Sequence, residues 1–404
     1  MADDGAKKNE NETPNMENIF EAMSEVFEIA ENDILLTMNE ELYKGFNLDN
    51  WKIYQLSRKR YLKEKLNREL EGVQDKQIQQ IHNAASLMNA KNVKFTRDLI
   101  NKTEEANKYL IRSALMTFEK SVNKIYKLSK TQPLRDAIVD IVDKNVDIGL
   151  KTVDTKSGRT WGYKEYMEMS VRTNIHTEVV EQQLSIGEET GQVFYICSYF
   201  GDCADDHAPY QGKIYYNKDF ENFKIKEEVK EQIRKVIKKK KMLSYQDISD
   251  GTITYTTNTG KQRGVYLCTR PNCRHRMFPL TLNQVLENTP TELLNKFKLK
   301  LGTYKDDKYE ASQELRYCER NIRKYKFNLK TMQELKKKDG SNNEINKNIR
   351  KYSYLVRKWT DRADEVVQLN KSFLKRDKRR EERRVILNDL GVRYEKGVDI
   401  DDLK

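Results

Sequence analysis

No apolar run in this sequence approaches the ~18–20 residues that a membrane-crossing helix needs, and the opening residues, MADDGAKKNENE, contain no apolar signal-peptide core. Synthesis in a cytoplasm is the expectation. Cysteine is scarce and odd in number, five in 404 residues, which argues against a disulfide framework and leaves metal binding or plain burial. The sequence has no glycine-rich phosphate loop, no HExxH helix and no serine elbow, so it offers little purchase as an enzyme. Six prolines and 17 glycines leave few points at which a helix would be broken.

What is present is charge. Charged residues make up 34% of the chain and apolar residues 37%, a balance that points to much exposed helix surface. A length of 404 residues suggests two or three domains, because single cores stop growing at roughly 250–300 residues. The formal net charge is +12, but the first fifty residues hold thirteen acids against three bases, so the remainder carries +22. Such a basic body suits contact with nucleic acid or an acidic protein surface, although most charge runs simply solvate a helix face.

Residues Met1–Asn15 read as a disordered tail. From Met16 to about Leu36, Ile19, Met23, Val26, Phe27 and Ala30 recur at helical spacing with acids on the other face, predicting an acidic amphipathic helix. A basic helix is expected over Ser57–Leu70, and after Gly72 the pattern runs through Gln74–Leu128 with almost no breaker. Pro133 stands where the next helix, Leu134–Leu150, would begin. Residues 16–150 are therefore expected to form a helical N-terminal domain. Thr152–Thr160 reads as a loop and Trp161–Gly187 as a helix that puts Arg172 and His176 one turn apart.

The composition changes at Gly191. Val193–Tyr199, Lys213–Tyr216, Thr252–Thr257 and Gly264–Cys268 are β-prone, interrupted by a basic helical segment at Lys224–Lys241, so residues 151–290 read as a small α+β module. From about Thr291 the chain is expected to be helical to its end. Leu315, Cys318, Ile322, Tyr325, Leu329 and Met332 step by three and four, and Ile345, Ile349, Tyr352, Val356, Trp359, Ala363 and Val366 repeat the step, with Phe373 closing the register. Gly340 and a capping box opened by Ser341 predict a tight turn, hence an antiparallel helical hairpin in residues 291–404 that ends in a basic helix, Lys371–Arg384. The fold class is mainly α, with a long helical N-terminal region, the central short-stranded α+β module and the C-terminal hairpin.

Two short runs concentrate the chemistry. DCADDHAPYQG (Asp202–Gly212) and RPNCRHRMFP (Arg270–Pro279) hold Cys203, His207, Cys273 and His275, a ligand set that suits tetrahedral zinc if the runs meet in space. Their spacing matches no finger or ribbon template, and buried cysteines beside hydrogen-bonded histidines would read the same way. Cys268 is an alternative ligand, while Cys197 in a strand and Cys318 on the heptad seam read as small hydrophobes. Asp202, Asp205 and Asp206 invite a metal-dependent hydrolase, a nuclease or peptidase centred on His207 and Asp206. Four protein ligands would close the site, so a structural role is preferred over catalysis.

The succession TWGYKEYMEMSVRTNIHTE, DCADDHAPYQGKIYY, PNCRHRMFPL and YCERNIRKYK resembles the phage minor capsid protein 2 family, relatives of the Mu F head-morphogenesis proteins, closely over Gly149–Lys326. In that family a Cys or His pair often precedes the QG turn and a later Asn-Cys-Arg-His run supplies another, and Cys203, His207, Cys273 and His275 fall on those positions. The basic insertion at Lys224–Lys241 departs from the pattern. The resemblance implies a non-enzymatic minor head protein of a tailed bacteriophage, made in the host cytoplasm. It would sit at the portal vertex inside the capsid, with the portal protein, other capsid or scaffolding proteins and packaged double-stranded DNA as partners. It would act in head assembly, DNA packaging or DNA delivery. A nonspecific DNA-binding protein is the other reading of the basic surface. Related domains occur joined to toxins, but Thr291–Lys404 shows no catalytic constellation.

Overall fold

The computed structural model describes residues 16–88, 93–154, 160–257, 259–270, 273–301, 306–339, 343–376, 381, 385–388 and 391–394. The tail expected at Met1–Asn15 lies outside them. The chain divides into two compact units, Met1–Val171 with Glu382–Lys404, and Arg172–Glu381.

The first unit is built from α1 (Met16–Tyr43), α2 (Trp51–Ser57), α3 (Lys59–Leu87), α4 (Val93–Leu128), α5 (Leu134–Ile148), the strands β1 (Lys151–Asp154) and β2 (Thr160–Gly162), and the start of α6 (Tyr163–Glu189). The acidic helix differs from the sequence expectation. α1 packs against α3, α4 and α5, and Glu25, Glu31 and Glu41 are buried along with Ile19, Met23, Phe27 and Ile34. Buried carboxylates need partners, and Glu41, Glu31 and the half-buried Glu28 show theirs. Glu41 meets Arg58 at 2.5 Å and Lys44 at 2.9 Å, Glu28 meets Lys164 at 3.0 Å, and Glu31 Oε1 accepts the Leu150 N–H at 2.8 Å.

Neutral polar groups are handled by closure. Gln77 Nε2 donates to the Tyr163 hydroxyl (3.0 Å), that hydroxyl donates to Asn107 Oδ1 (2.6 Å), and Asn107 Nδ2 donates to Gln77 Oε1 (2.9 Å). The ring ties α3, α4 and α6 together inside the core, where one orphaned group would cost about 1–3 kcal/mol. Asn145 does the same for α5, α1 and α4, donating to Asn39 Oδ1 (3.1 Å) and Ser121 Oγ (3.0 Å).

Two boundaries move. α3 runs straight through Gly72, which has nothing within 4 Å of a built Cβ, and stops at Leu87 instead. The segment Thr152–Thr160, expected as a loop, starts and ends in paired strands. β1 and β2 are antiparallel with a register shift between Lys151 and Val153, and residues 155–159 lie outside the described residues. Short β-branched stretches flanking a turn are enough for such a pair.

The second unit centres on β3 (Phe194–Cys197), the middle strand of an antiparallel sheet in the order β5-β3-β8, with β4 at Tyr199–Phe200, β5 at Ile214–Tyr216, β6 at Thr254–Thr256, β7 at Gln262–Gly264 and β8 at Met277–Leu280. The continuous apolar run of β3 has a clear cause, since both sheet faces are covered. Phe194 and Ile196 join Ile214, Leu280, Val285 and Leu293 on one side. Tyr195 and Cys197 join Tyr215, Ile248, Leu267 and Met277 on the other.

The basic insertion folds as α7 (Glu227–Lys240), which buries Ile233 and Val236 and sets Lys238, Lys239 and Lys240 in its last turn, where cations suit the helix dipole. Residues 265–268, expected to form a strand, leave β7 and bond instead to the region of α8 (Tyr245–Ser249), with Val265 N donating to Ile253 O (2.7 Å) and Leu267 N to Ile248 O (2.9 Å).

After α9 (Leu282–Glu287) and α10 (Pro290–Lys296), each opened by a capping box, β9 (Lys300–Leu301) pairs in parallel with β4. α11 (Asp306–Asp339) and α12 (Asn343–Leu369) then form the antiparallel hairpin. Leu315, Cys318 and Ile322 pack on Ala363 and Val366, Tyr317 meets Trp359 edge-on at 5.2 Å, and Tyr325 stacks on Tyr352 at 6.0 Å. The tight turn expected at Gly340 and Ser341 falls on residues outside those described. The chain is not helical to its end. α12 stops at Leu369, and Phe373 sits past the helix with the Lys308 ammonium 5.2 Å from its ring centroid. Of the run Lys371–Arg384, expected as a basic helix, residues 371–376 are turn and coil, Glu381 is helical, and 377–380 and 382–384 lie outside the described residues. Arg376 is held by Glu381 (2.7 Å) and Asp364. A strand pair, Val385–Asn388 with Gly391–Tyr394, follows in the first unit against α1 and α3.

Candidate metal centre

The two motif-bearing loops are anchored at the end of β3. Ser198 N donates to Arg276 O and Arg276 N to Ser198 Oγ, both at 2.9 Å, and Cys197 N donates to Lys213 O at 3.0 Å. Between these anchors Ala204–Gly212 coils tightly, with Tyr210 N and Gln211 N both donating to His207 O. Gly212 exits at φ +68°, where a built Cβ would stand 3.0 Å from the Tyr199 ring. A side chain is excluded there by backbone conformation and by space alike.

Acids of the first loop face arginines of the second. Asp206 pairs with Arg270, and Asp202 with Arg274 at 2.7 Å, while the Arg274 guanidinium lies 5.1 Å from the Phe200 ring centroid. Burial pushes the Asp202 carboxyl up, but Arg274 and the hydrogen bonds around it hold it below the usual carboxylate range. The aspartates thus latch the loops, and Asp206, the candidate base, is engaged with a cation.

Between the latches the fold brings His207, Cys273 and His275 together. One donor atom from each lies within 4.8 Å of the others, and the three residues are 3%, 6% and 2% exposed. Cys273 Sγ is 3.4 Å from His275 Nδ1 and 3.8 Å from His207 Nδ1, and the imidazoles meet edge-to-face at 5.3 Å. His275 Nε2 is 3.0 Å from Gln211 Oε1, which also accepts the Phe200 N–H at 2.8 Å. That oxygen can only accept, so His275 carries its proton on Nε2 and turns the Nδ1 lone pair toward the sulfur. Burial depresses both imidazoles, His275 well below its ordinary value with His207 and Arg274 adding to the effect, so both rings are neutral donors at neutral pH. Burial also pushes the Cys273 thiol up to about 11.

Of the four residues singled out in the sequence, three converge and one does not. Cys203 is buried, its thiol pushed up to about 12 by burial and by the neighbouring aspartates, but it is not part of the group within 4.8 Å. Cys268, the alternative ligand, sits in the left-handed region (φ 68°) and bonds through its side chain to Cys197 within the apolar cluster. Cys318 lies fully buried on the hairpin seam. His176 hydrogen-bonds the Cys268 backbone, and burial followed by the charge of Arg276 lowers it to about 4. It acts as a strut between α6 and the second loop. Sequence reasoning missed Gln211, whose only signal was its place before Gly212 in the turn.

A simple thiol leaves this arrangement incompletely bonded. One S–H proton serves one of the two facing nitrogens, and His207 Nε2 and Gln211 Nε2 are buried with no hydrogen-bond partner. A tetrahedral zinc with ordinary Zn–S and Zn–N bonds would separate sulfur from nitrogen by about 3.6 Å, between the two distances found. Both sulfur-to-nitrogen distances therefore suit such an ion.

No curated protein and no solved structure matches the chain. Residues 97–368 match the family model of phage minor capsid protein 2, a span that takes in residues 97–150 of the helical region, the two loops and the hairpin. The chain therefore belongs to the phage minor capsid protein 2 family, a structural component of the phage virion.

Proposed function

We propose that this protein is a non-catalytic minor head protein that sits at the portal vertex inside the capsid of a tailed phage, acting in assembly, packaging or delivery of the genome. The family match carries this reading, and two surfaces support it. On the first unit a groove of about 550 Å³ between α3 and α4 has Leu70, Ile111 and Met116 in its lining and Lys63, Lys108 and Arg112 at its rim, chemistry that suits an acidic, partly apolar portal segment. On the hairpin, Lys330, Lys336, Lys337, Lys347, Arg350, Arg357 and Lys358 are exposed, a field suited to the phosphates of packaged double-stranded DNA.

Coexpression with the portal protein of the same phage tests the first surface. The full chain should copurify with portal, and a Lys63→Glu, Lys108→Glu, Arg112→Glu triple variant should not; equal recovery of both would overturn docking through this groove. DNA binding by the full chain should fall steeply between 50 and 200 mM salt because each neutralised phosphate releases counterions. A hydrolase reading finds less support, since Asp202 and Asp206 are tied to arginines and the three donors are buried. Turnover of DNA or casein that vanishes in His207→Ala with the fold intact would restore it.

A further inference from the structure

We propose that the second unit binds a zinc ion through three residues, His207, Cys273 and His275, as a cross-link that fastens the 201–212 and 268–276 loops to the end of β3, and that Cys203 is not among its ligands. The inference is independent of the virion reading.

Four observations carry it. Cys273 Sγ lies 3.4 and 3.8 Å from the Nδ1 atoms of the two histidines, which brackets the donor separation of tetrahedral zinc, about 3.6 Å. The Gln211 side-chain oxygen, 3.0 Å from His275 Nε2, fixes the tautomer a metal-bound histidine needs, as outer-shell acceptors do in zinc proteins. A single thiol proton can serve only one of the two Nδ1 atoms that face Cys273 Sγ, whereas an ion engages the sulfur and both nitrogens at once. Lastly, the ligands come from loops already pinned by the Ser198–Arg276 bonds and by the Asp206–Arg270 and Asp202–Arg274 pairs, so the donors are held in place before the ion arrives.

On binding, the Cys273 S–H bond breaks, the Zn–S bond forms and the proton passes to solvent. Three protein ligands leave one tetrahedral position, and with every donor at most 6% exposed it suits a water molecule rather than a substrate. The same two-histidine, one-cysteine set serves copper electron transfer when a methionine sulfur caps it. Here the neighbouring Met277 packs into the apolar cluster with Tyr195 and Tyr215, which favours zinc.

The test is metal content of the full-length chain. Protein from zinc-supplemented cells, dialysed and measured by mass spectrometry, should hold about one zinc per chain. Cys273→Ser and His275→Ala should lose it, and Cys203→Ser should keep it. Because the first two variants can fail to fold, wild-type protein is also stripped and titrated with cobalt, which should develop tetrahedral d–d bands with charge transfer from a single thiolate. In competition with a colorimetric chelator, Gln211→Leu should bind zinc about 10–100-fold more weakly. Zinc near zero in wild type together with no cobalt spectrum overturns the site. Zinc lost in folded Cys203→Ser overturns the three-residue set, and stoichiometric copper with an intense blue band overturns zinc as the occupant.

Discussion

Tyr352→Ala is expected to destabilise the hairpin by about 3–5 kcal/mol, the range for emptying a buried aromatic site. Tyr352 is fully buried on the seam and stacks on Tyr325 with the rings inclined at 28°, so truncation removes both the area and the ring pair. α11 and α12 touch along a single line, and neighbouring side chains cannot collapse into the space from a second layer of the hairpin itself. Hydrogen exchange should show amides of both helices opening faster. Tyr354→Ala, two residues along on the exposed face, is the control and should shift stability by no more than about 0.5 kcal/mol, since Tyr354 is 63% exposed. Equal effects of the two substitutions would mean that the register of the seam is wrong.

The seam was legible from sequence because a helical hairpin is a local object, and spacing by three and four fixes which side chains meet. β3 was legible for a similar reason, its apolar run being too short for a helix and bounded by glycine-containing turns. The acidic helix was misread because periodicity reports which residues share a face and not how many faces are covered. α1 is enclosed on most sides, so its glutamates found partners seventeen to more than a hundred residues away, as Glu41 did with Arg58 and Glu31 with Leu150. The candidate site was half legible. Residue types and loop context identified both motifs, yet whether Cys203 or Gln211 stands beside the trio depends on a turn of ten residues whose hydrogen bonds no spacing rule encodes. The end of α12 failed for a different reason. Nothing in the spacing marked where α12 ends at Leu369, and the β-prone segment Val385–Leu387 pairs as a strand instead of continuing a helix.

Glu31 gives the second large effect, and its sign is set by linkage. Burial raises its carboxyl from 4.5 to about 7; the Leu150 N–H and Lys164 pull it down, and Glu165 and Glu28 push it up. The acceptor atom is held close by Gly149, whose φ of +70° and missing Cβ let Oε1 stand 2.9 Å from where a side chain would begin. In the unfolded chain the same carboxyl ionises near 4.5, so between pH 4.5 and 7 the folded state binds more protons, and stability falls as pH rises through that window and levels off above it. The loss amounts to something on the order of 3 kcal/mol. Glu31→Gln keeps an acceptor for Leu150 and carries no charge at any pH. The variant should match wild type near pH 4.5 and exceed it increasingly up to pH 8, where the gain approaches that figure. His176, lowered to about 4, pulls the other way, since its contribution is lost as pH falls from 6.5 toward 4, but it is common to both proteins and drops out of the difference. Denaturant unfolding of the two proteins across pH 4.5–8 measures it. A difference that stays flat, or a variant less stable than wild type at pH 8, would show that Glu31 is ionised and well paired in the fold.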